Sequence, residues 1–180
     1  GERRGIKEDD RLTKKRFLGY GRQFIDDDDV AAVMAVLRGD YLTQGPVVDK
    51  FERALADYVG ARYAVAVSSG TAALHIACLA LDLKKGDIVW TSPNSFVASA
   101  NCARYCSASV DFVDIDASTG NMSILALEKK LAQAKKVNRL PKVIIPVHFA
   151  GQPCDMKELY ELSLVYKTLG YNKVFHVFVY

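Results

Sequence analysis

The sequence lacks several features that would place it in whole classes of protein. No apolar run is long enough to span a bilayer, and no apolar signal region follows the charged beginning, GERRGIKEDDRLTKKR. It has neither the Lys-containing phosphate loop nor the G-x-G-x-x-G dinucleotide fingerprint. No internal repeat or low-complexity linker interrupts it. We therefore expect a cytoplasmic globular protein without a membrane partner.

Cysteine and histidine are too few and too scattered to predict a metal site. The chain has four cysteines and three histidines, and none show the paired spacing of zinc ligands. The acidic loop DIDASTGN (114–121) resembles a calcium loop, but Leu125 stands where the last glutamate is needed. Because the cysteines lie in or beside apolar segments and no secretory signal precedes them, we expect free, buried thiols. They are Cys78, Cys102, Cys106 and Cys154.

The positive charge of the chain is confined to its first 22 residues. These hold eight Lys/Arg and four Asp/Glu, whereas the other 158 residues carry 16 basic and 17 acidic side chains. The sequence therefore predicts a basic tail, 1–22, joined to a nearly neutral domain, 23–180. Since the domain has no basic face, we do not expect a nucleic-acid partner.

Apolar segments without a polar face alternate with amphipathic segments. They predict strands at 62–67, 87–92, 109–115 and 142–149, with helices between them. Two more helices come first, one after the acidic residues 26–29 and one from Pro46 to Gly60. This order predicts an α/β fold with a mainly parallel sheet and helices on both faces.

Ligands of parallel sheets collect beyond the C-terminal ends of the strands, which directs attention to the loops there. In the loop SSGT (68–71), Ser69 is suited to cap the next helix and Gly70 allows a tight turn. The first-turn amides of Gly70, Thr71 and Ala72 would then face an anion, best matched by a phosphate. An ordinary strand-to-helix turn explains the same residues, and both interpretations stay open.

Two later loops supply further candidate residues. Phe96, in SPNSF (92–96), is expected to open a helix, where its ring can cover a planar ligand; for this residue taken alone, a core position is the favoured alternative. His148, in HFAGQPCD (148–155), ends the last strand on the ligand side and is a candidate substrate contact. His75 lies among apolar residues in the middle of a helix, and we expect it to be structural.

Four segments in the same order resemble the DegT/StrS family of sugar aminotransferases. They are YGRQFIDDDDVAAVMAVLRGDYLTQGP, FERALADYVGARYAVAVSSGTAALH, TSPNSFVASANCARYCSASVDFVDID and IIPVHFAGQPCDMKEL. Within the family, the similarity is greatest to the transaminases of pseudaminic acid synthesis. The resemblance implies the N-terminal part of a fold-type-I large domain of a pyridoxal-phosphate (PLP)-dependent transferase, at 23–180, without the small C-terminal domain.

The resemblance also implies a function, a cofactor and site residues. Family members use pyridoxal phosphate, and most, typically as homodimers, move an amino group from glutamate to a nucleotide-linked keto sugar, here a 4-keto-6-deoxy sugar. The resemblance implies that Thr71 and Ala72, beside the amide of Gly70, hold the cofactor phosphate and that Phe96 stacks on its ring. Tyr41 and Thr43, in the loop YLTQGP, are implied as substrate contacts.

The C-terminal end departs from the family pattern. The family's next landmark is a strand ending in Glu-Asp-Ala, whose Asp pairs with the pyridine nitrogen of the cofactor. Here GYNKVF is followed by HVFVY, and no Asp occurs after Asp155. The lysine that bonds to the cofactor lies further along in the family, so we assign no catalytic residue. We expect a fragment that is inactive alone and binds the cofactor weakly or not at all.

Two other functions fit the same residues. One is a non-catalytic α/β module for phosphate binding or protein interaction, which predicts binding of a phosphate ligand without covalent cofactor chemistry. The other is a fragment of a PLP-dependent sugar dehydratase, because such relatives replace the catalytic lysine with histidine. The deciding position for the second lies beyond this chain.

Overall fold

The computed structural model describes residues 23–166. The predicted basic tail, 1–22, and the C-terminal residues 167–180, which include GYNKVFHVFVY, lie outside the described residues. The chain divides into two compact units, whose described parts are residues 23–64 and 65–166. Within these ranges, no helix is both long and apolar enough to cross a membrane.

The first unit contains two helices whose ends are set by local sequence. Helix α1 is Asp27–Leu37 and helix α2 is Pro46–Val59. The Asp26 carboxylate caps α1 by accepting hydrogen bonds from the amides of Asp28 and Asp29, each at 3.1 Å. Gly60, with a φ of +66°, ends α2 in the left-handed conformation that glycine adopts without strain. Both helices confirm the sequence prediction.

The second unit is a three-stranded parallel sheet with helices on both faces. Its elements are α3 (Gly70–Ala80), β1 (Ile88–Thr91), α4 (Ala98–Tyr105), β2 (Ser109–Phe112), α5 (Ile124–Lys136), β3 (Val143–Ile145), a 3-10 turn (Phe149–Gly151) and α6 (Met156–Tyr166). The strand order is β2-β1-β3, with Trp90 of β1 opposite Asp111 of β2 and Ile144 of β3. This arrangement confirms the predicted fold class.

Two buried clusters, one on each face of the sheet, hold the second unit together. Val89 and Val143 pack with α3 and α4, whereas Trp90 packs with α5 and α6. This division follows from the alternation of side chains along a β-strand. Leu127 and Leu131 of α5 are fully buried, and each stabilises the fold by about 2 kcal/mol. All four cysteines are buried free thiols, as predicted.

Residues 62–67 do not form the predicted strand. The segment is irregular and mostly exposed, with Tyr63 75% and Val65 69% exposed. A strand needs a hydrogen-bonded neighbour, and none of the three strands in the described sheet pairs with this segment. The prediction was wrong because an alternating pattern is local, whereas the partner that makes it a strand is not.

The third strand is shorter than predicted. It ends at Ile145, because Pro146 has no amide hydrogen to continue the ladder. His148 consequently lies in the loop after β3, at the start of the 3-10 turn, and does not end a strand. Phe96 also lies outside the element predicted for it, because α4 begins two residues later, at Ala98, and Phe96 does not open the helix.

Candidate functional site

The carboxyl ends of the three parallel strands lie along one edge of the sheet. After β1 the chain passes to α4 on one face, whereas after β3 it passes to α6 on the other face. Adjacent parallel strands that continue to opposite faces leave a crevice between their ends, the usual ligand position in such sheets. The loops that follow β1 and β3, residues 92–97 and 146–155, therefore flank the candidate site.

The first turn of α3 presents two backbone donors. Its first intrahelical hydrogen bond runs from Ala73 N to Ser69 O at 3.0 Å, so the amides of Gly70 and Thr71 have no acceptor within the helix. Ser69 Oγ accepts a hydrogen bond from Ala72 N at 3.1 Å, which confirms Ser69 as the cap. The sequence predicted three available amides; the structure leaves two, because the capping hydroxyl binds that of Ala72.

These donors suit the phosphate of pyridoxal phosphate. Helix α3 leads into β1 through a short connection, residues 81–87, so its first turn lies toward the carboxyl ends of the strands. Two amides at the positive end of the helix dipole, with the Thr71 hydroxyl beside them, match the oxygens of a phosphate group. Gly70 is exposed and Thr71 is half-buried, so the turn is accessible. The residues present therefore fit the phosphate end of the cofactor.

Phe96 is available to a ligand and is not a core residue. Its side chain is 71% exposed and belongs to neither buried cluster. The alternative interpretation from the sequence, a core phenylalanine, is therefore wrong. An exposed ring in a loop at the carboxyl edge can stack on a planar group. Its contact with the cofactor ring stays a prediction.

Asn121 fastens the loop after β2 to the loop after β3. Its Nδ2 donates to the carbonyl oxygens of Gln152 and Pro153, at 3.0 and 2.9 Å. Its Oδ1 accepts a hydrogen bond from Phe149 N at 3.0 Å. Because Asn121 is only 5% exposed, its side chain is largely shielded from water. This buried side chain thus ties the loop that contains His148 to the loop after β2.

The loops after β1 and β2 are joined in the same way. Asn94 Nδ2 donates to Gly120 O at 2.9 Å. In the acidic loop itself, hydrogen bonds from Ser118 hold the pKa of Asp116 below its usual value, so this carboxylate serves the turn. Within residues 23–166, no group of His, Cys, Asp and Glu is arranged to hold a metal ion. The loops after β1, β2 and β3 are thus joined to one another by hydrogen bonds before any ligand binds.

His148 lies beside the crevice in a fixed orientation. Its Nδ1 accepts a hydrogen bond from Cys154 N at 3.0 Å, so the proton of the neutral ring is on Nε2. Burial raises the pKa of the Cys154 thiol, which stays protonated and donates to Val147 O at 3.1 Å. His148 is half-buried, and its role as a substrate contact stays a prediction.

Ser92 directly follows β1 and was not predicted as a site residue. Its side chain is 2% exposed, and its Oγ is the one buried side-chain polar atom of the described residues that has no hydrogen-bond partner. The preceding residue, Thr91, donates from Oγ1 to Ile145 O at 2.9 Å and so joins β1 to β3. In the sequence, only its position at the end of a central strand could have identified Ser92 as a candidate, because a single serine does not make a recognisable motif.

Tyr41 and Thr43 lie in the other compact unit. Both are in the connection between α1 and α2, and both are exposed, Tyr41 to 64%. A methyl group at Gly45 would meet Tyr41 Cβ at 2.7 Å, so the turn before α2 is closely packed around this tyrosine. The substrate role of these two residues stays a prediction.

Comparison with known proteins points to one family. The model of the DegT/DnrJ/EryC1/StrS aminotransferase family matches residues 23–168. The UDP-4-amino-4,6-dideoxy-N-acetyl-beta-L-altrosamine transaminase of Campylobacter jejuni is 39% identical over 151 residues, which are 83% of this chain and 38% of that protein. The chain spans 31–39% of the length of the curated relatives that it matches.

Solved structures agree with the sequence comparison. Helicobacter pylori PseC, an aminotransferase involved in the biosynthesis of pseudoaminic acid, superposes with a TM-score of 0.74 at 30% identity, covering 83% of this chain and 39% of PseC. The PLP form of Spr1654 from Streptococcus pneumoniae, described as a sugar aminotransferase, gives 0.68 at 29% identity, with 77% and 34% coverage. The family and this PLP form imply pyridoxal phosphate as the cofactor.

Proposed function

The chain belongs to the DegT/DnrJ/EryC1/StrS aminotransferase family, and on that basis we propose that it forms the cofactor-receiving part of a nucleotide-sugar aminotransferase. The observation that carries the proposal is the first turn of α3, where the amides of Gly70 and Thr71 lack an acceptor within the helix. A phosphate is the anion that such a turn binds best. The proposal assigns residues 23–180 to the N-terminal part of the fold-type-I large domain.

In this proposal the residues of the chain bind and orient the cofactor. Bound pyridoxal phosphate supplies an electron sink for moving an amino group between substrates. The amides of Gly70 and Thr71, with the Thr71 hydroxyl, hold its phosphate. Ala72 contributes by keeping the turn compact, since its amide is bonded to Ser69 Oγ at 3.1 Å. The exposed ring of Phe96 covers one face of the cofactor and shields it from water.

The substrates we propose are glutamate and a UDP-linked 4-keto-6-deoxy sugar of the pseudaminic acid type. The 39% identity to the Campylobacter altrosamine transaminase and the likeness to PseC support this sugar class. A relative from Shewanella sediminis, a UDP-4-amino-4-deoxy-L-arabinose–oxoglutarate aminotransferase at 34% identity, supports a nucleotide sugar more generally. Tyr41, Thr43 and His148 are the proposed sugar contacts.

We further propose that these 180 residues do not transfer amino groups by themselves. The chain spans about a third of the length of its relatives, and we assign no residue in it to the family's cofactor-bonding lysine. We propose the cytoplasm as the place where the chain acts. We also propose that the chain self-associates, as a homodimer in the family manner. In the described sheet β2 and β3 are both edges, and unpaired edges favour association.

Cofactor binding is tested by titrating the purified chain with pyridoxal phosphate and following the fluorescence of the cofactor. Thr71→Val keeps the side-chain shape but removes the hydroxyl, and Phe96→Ala removes the ring. We expect each change to weaken binding about fivefold, the size of one hydrogen bond or one ring stack. Tyr58→Ala is the matched control, because this 89% exposed aromatic lies on α2 and has no proposed role in the site. Unchanged affinity in both site variants would refute the proposed site.

Activity is tested by supplying glutamate, pyridoxal phosphate and a UDP-linked 4-keto-6-deoxy sugar to the chain. We expect no amino sugar, and no cofactor absorbance that survives dialysis. Turnover would contradict the proposed inactivity while supporting the substrate class. Equal affinity for inorganic phosphate and for pyridoxal phosphate would instead favour a non-catalytic phosphate-binding module.

A further inference from the structure

We propose that the Ser92 hydroxyl is a cofactor-binding group, which donates a hydrogen bond to an anionic oxygen of pyridoxal phosphate. This inference rests on the proposed function and adds a residue to its site. Ser92 directly follows the C-terminal end of β1, the central strand, and therefore lies at the crevice between the ends of β1 and β3.

The Ser92 hydroxyl differs from the polar side chains of Thr91 and Asn94, its neighbours along the chain, because these already have partners. Thr91 Oγ1 donates to Ile145 O at 2.9 Å, and Asn94 Nδ2 donates to Gly120 O at 2.9 Å. Within residues 23–166, Ser92 Oγ has no such partner, although its residue is 2% exposed. Polar groups on both sides of it along the chain are thus bonded within the fold, and this hydroxyl alone is not.

An unpaired buried hydroxyl destabilises the free protein. Moving a hydroxyl out of water without a replacement bond carries a desolvation penalty, which an alanine at the same place would avoid. A ligand oxygen that reaches Ser92 Oγ would remove that penalty and add a charge-assisted hydrogen bond. Such a residue makes the free chain less stable and the bound chain more stable, which is common at ligand sites.

The ligand oxygen that bonds to Ser92 must be a hydrogen-bond acceptor, and pyridoxal phosphate carries two kinds of anionic oxygen. One is its phosphate, which the α3 turn is proposed to hold, and the other is the ring phenolate, which Phe96 is proposed to cover. Ser92 lies four residues before Phe96 on the same loop, and its hydroxyl is proposed to bond to one of these two oxygens. Inorganic phosphate and pyridoxal phosphate used as separate probes distinguish them.

The test compares Ser92→Ala with Ser99→Ala in the full chain. Ser99 is the matched control, because its residue is 5% exposed but its Oγ is paired with Ser95 Oγ at 2.6 Å. In the absence of ligand we expect Ser92→Ala to raise the melting temperature by about 3 °C and Ser99→Ala to lower it. We expect Ser92→Ala to weaken pyridoxal phosphate binding about tenfold, and Ser99→Ala to leave it unchanged.

Each outcome decides the matter. Weaker binding of both probes by Ser92→Ala assigns the hydroxyl to the phosphate, and weaker binding of pyridoxal phosphate alone assigns it to the phenolate. A less stable free Ser92→Ala chain would overturn the inference, because the hydroxyl would then have a partner within the fold. Unchanged affinity for pyridoxal phosphate in that variant would overturn it too. If the unmodified chain binds neither probe, the proposed function fails, and the inference with it.

Discussion

Replacing Asn121 with alanine removes the side chain that joins two of the strand-end loops. Asn121 donates two hydrogen bonds to the carbonyl oxygens of residues 152–153 and accepts one from Phe149 N. Alanine removes all three, while the backbone hydrogen bond from Asp116 N to Asn121 O at 2.8 Å is kept. The loop that contains His148 then loses its attachment to the loop after β2.

The expected cost follows from the number of bonds and from the exposure of the groups left behind. A typical intramolecular hydrogen bond stabilises a protein by about 0.5–1.5 kcal/mol, so three bonds set an upper limit of about 4.5 kcal/mol. The three backbone partners belong to exposed residues, and water can replace part of what they lose. We expect the free energy of unfolding to fall by about 2 kcal/mol, which lowers the melting temperature by about 6 °C.

The assay is urea unfolding followed by circular dichroism, together with hydrogen exchange of the Phe149 amide. Asn94→Ala is the control, since it removes one hydrogen bond, the one to Gly120 O at 2.9 Å, at the same edge of the sheet. Asn94→Ala should lower the free energy of unfolding by roughly a third as much as Asn121→Ala, and it should leave hydrogen exchange at the Phe149 amide unchanged. Exchange at Phe149 should become much faster in Asn121→Ala, because this amide loses its acceptor.

An aspartate at the same position adds a test by pH. Asn121→Asp would place a carboxylate against the two carbonyl oxygens that Asn121 now donates to, so burial and repulsion should raise its pKa above the unfolded value. A raised pKa means that the folded state binds more protons, so stability should fall as pH rises through that pKa. If Asn121→Ala costs no more than Asn94→Ala, and Asn121→Asp shows no pH dependence, the proposed role of Asn121 in holding the loops is refuted.

Two further predictions concern the thiols and one ion pair. The four cysteines should not react with Ellman's reagent until urea unfolds the chain, because all four are buried and the reagent cannot reach them. Burial also raises the pKa of Cys106 and Cys154, whereas the hydrogen bond with Cys78 lowers that of Cys102, so shielding and not pKa protects Cys102; reaction in the native state would show that the core opens. Burial opposes the ionisation of Asp111, but the hydrogen bond from Lys130 holds the pKa of this carboxyl below its usual value. The ion pair therefore stabilises the fold above about pH 4, and this stabilisation is lost as pH falls through the lowered pKa. Since the pair is partly exposed, Asp111→Asn should lower the free energy of unfolding by about 0.5 kcal/mol at pH 7, and it should have no effect in strong acid. Urea titrations at the two pH values measure this difference; an equal cost at both would contradict the electrostatic explanation.

Helix ends were predictable because the groups that set them are neighbours in the chain. Asp26 caps α1 through amides two and three residues away, and the Pro46–Gly60 pair marks both ends of α2. The Ser69 cap of α3 is of the same kind. The alternation of apolar strands and amphipathic helices likewise predicted the α/β class, since both periodicities are local. The family segments gave the cofactor and the direction in which to look for its site.

Strand pairing and buried partners were decided only by the tertiary structure. Residues 62–67 have the alternation of a strand, but none of the three described strands pairs with them, and no local pattern reports strand pairing. Asn121 bonds to groups 28–32 residues away, and Ser92 is notable only because no group in the described part of the chain bonds to its hydroxyl. The residues alone were enough to predict the elements whose hydrogen bonds are local and the family to which they belong. Which side chains at the carboxyl edge are satisfied, and which remain for a ligand, depended on contacts between distant residues that exist only after folding.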